Sequence, residues 1–238
     1  MIRYLILTLF CLSSTLPISA QDVDMGDTLR VNALSGLHLR QQATTQSLSK
    51  KLLPYGHPVV VVSESKGKPV LLDGLTGNWV RASAGRDTGY VFNAYLTRLP
   101  VFMNKPVKDQ NLGASLEEYA FEKLGVLDSV YYTNGADGEP FHRMTIFNLR
   151  GGHQYIRHGF WENEEWELQL LNVRDSEGIQ LILNLLKLWG RSTPDIENTL
   201  KKMHSTGSTL INDAEVCYRI HVFKAGNRII IRISSCGS

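Results

Sequence analysis

Hydrophobic and polar positions fall into two different patterns along the chain. From Thr28 to Leu99 the apolar residues come in short runs with no helical periodicity, clearest in Leu37-His38-Leu39 and in Val59–Val62. Turn-forming material separates them at Gln41–Gln46, Pro54-Tyr55-Gly56, Ser63–Pro69, Asp73–Asn78 and Ala84–Thr88. Short strands with turns every 8–12 residues or so predict a small all-β barrel or sandwich.

The pattern changes after Leu99-Pro100. Residues 100–113 carry Asn, Lys, Pro, Asp, Gln and Gly and read as a linker to a second domain, 114–238. Ser115-Leu116-Glu117-Glu118 reads as a capping box that opens a short helix to about Leu124, with Gly125 behind it. Val126–Thr133, Arg143–Leu149, His153–Trp161 and Glu165–Val173 read as four strands, with reversals at Gly151-Gly152 and Glu162–Glu164, which predicts an antiparallel meander. Asp175-Ser176 then opens a helix apolar on two stripes, so it needs cover on more than one side. Thr193-Pro194-Asp195 opens a further helix to about His204, and two β-branched runs flank Gly226-Asn227. The expected architecture is an all-β SH3-like barrel followed by an α+β domain, a mostly antiparallel sheet with a helical layer in the order α-ββββ-αα-ββ.

The barrel is named from wording more specific than its pattern. Gly36-Leu37-His38-Leu39-Arg40, Leu53-Pro54-Tyr55-Gly56, Val59–Val62, Trp79-Val80-Arg81 and Thr88-Gly89-Tyr90-Val91-Phe92-Asn93-Ala94-Tyr95-Leu96 occur in the order seen in the bacterial SH3 (SH3b) family, which this stretch resembles. Leu37, Leu39, Val60, Val62, Val80, Val91 and Leu96 are the positions expected to fill the barrel. Tyr90 stands where the family's motif has Trp, and an insertion, Lys66–Asn78, precedes Trp79 at the edge of the family's groove. The resemblance implies a binding module of the kind attached to exported, wall-associated proteins. In such a groove Tyr55, Trp79, Tyr90, Phe92 and Tyr95 would meet a peptide or glycan, with Arg40 contacting a carboxylate. The competing reading makes Trp79 and Phe92 core or core-rim residues and Arg40 an internal partner.

Composition narrows the compartment and the chemistry. The chain has 238 residues, is 43% hydrophobic, and balances 25 Lys+Arg against 23 Asp+Glu, which gives no polybasic signature of nucleic-acid binding. Arg3, the apolar Leu5–Leu12, Ser13–Pro17 and Ile18-Ser19-Ala20 read as a signal peptide over residues 1–20, which places the protein in the periplasm or outside the cell. Two cysteines then remain. A Gly226-Asn227 loop pairs Val222 with Ile231, Ile220 with Ile233 and, further out, Cys217 with Cys236, where a disulfide would contribute about 2–4 kcal/mol.

No zinc helix, nucleophile elbow or phosphate loop is present, so no cofactor or metal is expected. Cys217 lies in a strand rather than at a helix start, unlike the nucleophile of wall-directed papain-like peptidases. Tyr155, Arg157 and Trp161 alternate onto one side of a strand and offer either a second binding platform or core packing. The leading function is an exported, non-catalytic protein that binds a cell-envelope peptide or glycan through the barrel, the second domain binding or assembling. Two alternatives stand beside it: a peptidoglycan hydrolase with its site in the second domain, and a structural protein that oligomerises through the apolar helix 176–189.

Overall fold

The computed structural model describes residues 23–63, 67–102, 112–134, 142–160, 163–188, 208–213 and 218–235, with the single positions Gly190 and Pro194. Most of it is antiparallel β-sheet, with few helices. The first sheet contains β1 (Thr28–Val31), β2 (Leu37–Arg40), β3 (Ser49–Leu53) and β4 (Pro58–Ser63). A two-stranded hairpin, β5 (Val70–Leu72) and β6 (Leu75–Gly77), interrupts it, and β7 (Trp79–Ala84), β8 (Asp87–Phe92), a 3-10 turn at Asn93–Tyr95 and β9 (Leu96–Thr97) complete it. The strand order is β3-β2-β8-β7-β4-β1-β9, and side chains from all seven strands share one apolar interior.

One phase expected from the sequence is reversed. Val59 and Val61 are 1% exposed, whereas Val60 and Val62 are 41% and 37% exposed. Four valines in succession carry no information about which alternate set faces inward. The pairing of Leu29 with Val59 decides it, reinforced by the Val61 N–H donating to the Asp27 carbonyl at 2.9 Å.

The second region begins with α1 (Leu112–Tyr119), continues through a π-helical turn at Ala120–Leu124, and stops at Gly125, whose φ of 75° closes the helix. Ser115 is buried inside α1 instead of capping it. Leu112, Leu116 and Tyr119 form a buried stripe, and Gly113 lies flat on the Trp166 ring; these tertiary contacts extend the helix ahead of its local start signal. Four strands follow as a consecutive meander: β10 (Val126–Asn134), β11 (His142–Leu149), β12 (Gln154–Gly159) and β13 (Glu164–Leu171). Next come α2 (Asp175–Leu188), β14 (Ser208–Asp213), β15 (Tyr218–Ala225) and β16 (Arg228–Ser235), giving the sheet order β10-β11-β12-β13-β16-β15-β14. Strand β14 is not expected from the sequence; its backbone pairs with β15 from Ser208↔Phe223 to Asp213↔Tyr218. Of the helix expected over 193–204 only Pro194 is described. The hairpin register does follow the sequence, with Ala225↔Arg228, Val222↔Ile231 and Ile220↔Ile233 paired.

Helix α2 joins the two sheets. Every residue from Ser176 to Leu186 is buried. One apolar cluster runs from Leu168, Leu170 and Ile231 of the second sheet through Ile182 and Leu185 to Phe92, Leu99 and Phe102. Val101 and Phe102, inside the stretch expected to be linker, are buried as well. The apolar faces of α2 are therefore used within the chain, which leaves the oligomerisation alternative without the free face it requires. Among the described residues no helix is long and apolar enough to cross a membrane. Residues 1–20, the expected signal segment, lie outside the described residues.

Buried polar groups fix α2 against the barrel. The Arg174 guanidinium donates to the carbonyls of Asn93 (3.1 Å) and Leu96 (2.6 Å). Its Nε and backbone N–H donate to Glu177 Oε2 at 3.2 and 3.0 Å, while Arg98 N–H donates to Glu177 Oε1 at 2.7 Å. Burial alone would raise the Glu177 carboxyl; the guanidinium and these N–H donors outweigh it and hold the group below the usual carboxylate range. About two turns beyond Glu177 along α2, Asn184 donates to the Asn32 carbonyl (2.7 Å) and Oδ1 (3.0 Å), and Gln180 donates to Asn184 Oδ1 (2.9 Å).

Candidate functional site

A cleft of about 690 Å³ opens where the barrel, the β5–β6 hairpin and α2 meet. Its volume lies in the range of roughly 300–1,000 Å³ in which small ligands are held. Arg40, Trp79, Phe92 and Tyr95, four of the residues singled out from the sequence, line it, Phe92 as a buried core residue beneath the other two rings.

Local sequence places each wall. The turn Asp73-Gly74 has φ of 49° and 76°, the two left-handed positions of a type I′ hairpin turn, which explains an acidic residue followed by glycine. Leu75 beside it is buried in the large apolar cluster, and the Asp73 carboxylate accepts a hydrogen bond from the Tyr95 hydroxyl at 2.9 Å. The Asn78 N–H donates to Asn93 Oδ1 (2.8 Å), and the Asn93 N–H donates back to the Asn78 carbonyl (2.9 Å), so the end of the hairpin is tied to the turn that carries Tyr95. The inserted hairpin is thus one wall of the cleft. Trp79 and Tyr95 both pack on Phe92, with ring centroids 5.7 and 5.9 Å apart. Arg40 donates from Nη1 to the Ser47 carbonyl at 2.6 Å, which anchors the guanidinium with other N–H groups left for a ligand.

The other sequence candidates lie elsewhere. Tyr55 sits at the seam between barrel and α2: its hydroxyl accepts from the Phe102 N–H at 3.1 Å and bonds the Asn184 side chain, and burial raises its pKa against the pull of those bonds. Tyr90 is half-buried on β8, its backbone paired with Arg40 and Arg81, and it does not line the cleft. Tyr155 is fully buried, packed edge-on against Phe121 at 5.4 Å, with its hydroxyl donating to Glu117 at 3.0 Å. Burial beside that carboxylate pushes its pKa far up. Tyr155 itself is therefore packed in the core, because Phe121 covers both it and its cross-strand neighbour Phe147. Arg157 is exposed and pairs with Glu117 (3.8 Å) and Glu164 (3.5 Å). Trp161, Cys217 and Cys236 lie outside the described residues.

Sequence reasoning missed the contribution of α2. Gln180, Leu183 and Lys187 also line the cleft, and their i, i+3, i+7 spacing puts them on one helical face. That spacing was readable, but nothing local says which domain the face meets.

The titratable residues of the second sheet are engaged with one another. His153 Nδ1 accepts the Leu171 N–H at 3.0 Å, and burial lowers its pKa, aided by Arg228. His158 stacks on His142 with centroids 5.6 Å apart; burial lowers its pKa although Glu165 and Glu167 pull the other way. Arg232 holds Glu167 at 2.6 Å and Glu165 at 3.4 Å. Among the described residues no group of three or more His, Cys, Asp or Glu is placed to hold a metal ion.

No curated protein and no solved structure matches the chain. The family model of the bacterial SH3 domain matches residues 35–97, which span β2 to β9 and carry Arg40, Trp79, Tyr95 and the hairpin wall. Residues 35–97 of this protein are a bacterial SH3 domain.

Proposed function

We propose that the protein is exported and that the cleft beside its bacterial SH3 domain holds a peptide or glycan of the cell envelope without cleaving it. The observation that carries this reading is the convergence of Arg40, Trp79 and Tyr95 on one cleft within the segment that matches the family. Aromatic faces and an anchored guanidinium suit a ligand with both apolar and carboxylate groups. Purified peptidoglycan sacculi are expected to retain the wild-type protein. Trp79→Ala should weaken retention at least tenfold or so, the size of effect a central aromatic carries. Trp79→Phe, which keeps a ring on Phe92, should recover part of it. Equal retention of all three proteins, each shown folded by its thermal transition, rejects the reading.

Export carries a second expectation. The last described pair of the terminal hairpin, Tyr218↔Ser235, supports a Cys217–Cys236 disulfide one step further out. Protein secreted to the periplasm should take up no alkylating agent at cysteine before reduction and two equivalents after it, read by intact mass. Alkylation without reductant speaks against both the bridge and the oxidising compartment.

A further inference from the structure

We infer that β10 is a pairing edge for a second copy of this chain, the two copies joining their second sheets antiparallel about a two-fold axis at Tyr131. No β10 residue lines the cleft, so the pairing is independent of what the cleft holds.

The first support is the state of that edge. Strand β10 ends the second sheet and, among the described residues, pairs only with β11. Every residue from Val126 to Thr133 is exposed, so neither face of the strand packs on anything. Val126, Leu127, Val130, Tyr131 and Tyr132 are large apolar side chains left in water there. An edge strand presents a row of unpaired N–H and C=O groups, which folded proteins blunt with lysine, proline, short length or cover. The barrel sheet does so at both of its ends. Its β3 carries Lys50 and Lys51, both exposed and bonded to Thr88 and Asp87 of β8. Its β9 is two residues long, both buried. By contrast β10 has nine residues, no lysine or proline, and one charged residue, Asp128, which accepts from the Asn148 side chain of β11. Its one protective feature is the bulge between Val126 and Asp128.

The second support is self-complementarity. A strand can pair antiparallel with its own copy only in registers where one residue meets itself, because facing residues must turn their N–H and C=O groups the same way. Past the bulge β10 runs regularly from Asp128 to Asn134, and full overlap of that segment puts Tyr131 on the axis. Val130 then meets Tyr132, and Ser129 meets Thr133. Aromatic–aromatic, aromatic–β-branched and Ser–Thr pairs are among the favourable cross-strand classes. Asp128 meets position 134 rather than a second Asp128, so no like charges face one another. An isologous pair of this kind closes after two copies and leaves no β10 edge open.

The test follows the mass of the full chain by sedimentation equilibrium as its concentration is raised. The wild type is expected to double in mass, from one chain to two. Tyr131→Lys and Tyr131→Glu each set like charges opposite one another at the axis and should hold the mass at one chain. Mixed in equal amounts, the two variants should recover the doubling, because lysine then faces glutamate. Tyr131 is 57% exposed, so both variants keep the fold, which matching thermal transitions check. A wild type that stays at one chain at every concentration overturns the second copy as occupant and leaves the edge to a foreign strand. A wild-type dimer that both variants retain overturns the place of β10 in it. A mixture that stays at one chain overturns the register about Tyr131.

Discussion

Replacing Arg174 by alanine is expected to cost about 3–5 kcal/mol of stability at neutral pH, a large share of the roughly 5–15 kcal/mol that holds a typical domain folded. The cost has two sources. Glu177, 1% exposed at its side chain, would remain as a buried carboxylate without its guanidinium. The carbonyls of Asn93 and Leu96 would lose their donor in a place water does not reach. Replacing both charged residues by methionine should not restore the loss in full, because those carbonyls and the Arg98 N–H stay unpaired. The pH dependence follows from the sign of the Glu177 shift. In the wild type its carboxyl is held low, so its stabilising contribution is present above the ordinary carboxylate range and declines as pH falls through the lowered value. Without Arg174, burial dominates and drives Glu177 toward the protonated form. The gap between wild type and variant should therefore narrow in acid. Urea denaturation at pH 7 and pH 4 measures both; an equal gap at the two pH values would contradict the electrostatic account.

Gly113→Val should be nearly as damaging, for a steric reason. A Cβ at position 113 falls 2.1 Å from Trp166 Cδ2 and 2.3 Å from Cε3, far inside contact distance. The ring cannot withdraw easily: Trp166 is 4% exposed, packs on Tyr218 at 6.4 Å, and its strand is paired on both sides. Overpacking of a filled core costs about 1–3 kcal/mol, and this close an approach belongs at or above the upper end. Trp166→Leu in the same chain should relieve part of the strain, so the double variant is expected to be more stable than the sum of the singles. Additive losses, read from urea midpoints, would place the fault elsewhere in α1.

These two positions also show where sequence reasoning stopped. The Gly226-Asn227 hairpin was legible because its register is set by two adjacent residues, and the four-strand meander was legible because each reversal carries its own turn signal. The burial of α2 on several sides was legible from its two apolar stripes. The phase of β4 was not, since Val59–Val62 is chemically uniform and a distant strand decides which side faces in. Nor was the early start of α1, which depends on Gly113 meeting a tryptophan more than fifty residues away. At the cleft, Arg40, Trp79 and Tyr95 were visible because family motifs mark them. Lys187 and Gln180 were not, because their place depends on how α2 is oriented against the barrel. Asn184 inside the apolar helix and Arg174 just ahead of it look like ordinary polar positions until their partners at Asn32, Asn93 and Leu96 are known.

The clamp along α2 also bears on how such a chain is inherited. A barrel that ended at Phe102 would carry Phe92, Leu99 and Phe102 with no helix to cover them, and four acceptors, two at Asn32 and one each at Asn93 and Leu96, without these donors. Domain shuffling favours cassettes with self-sufficient surfaces. This barrel lacks one, so it and its neighbour must be exchanged, duplicated or lost together.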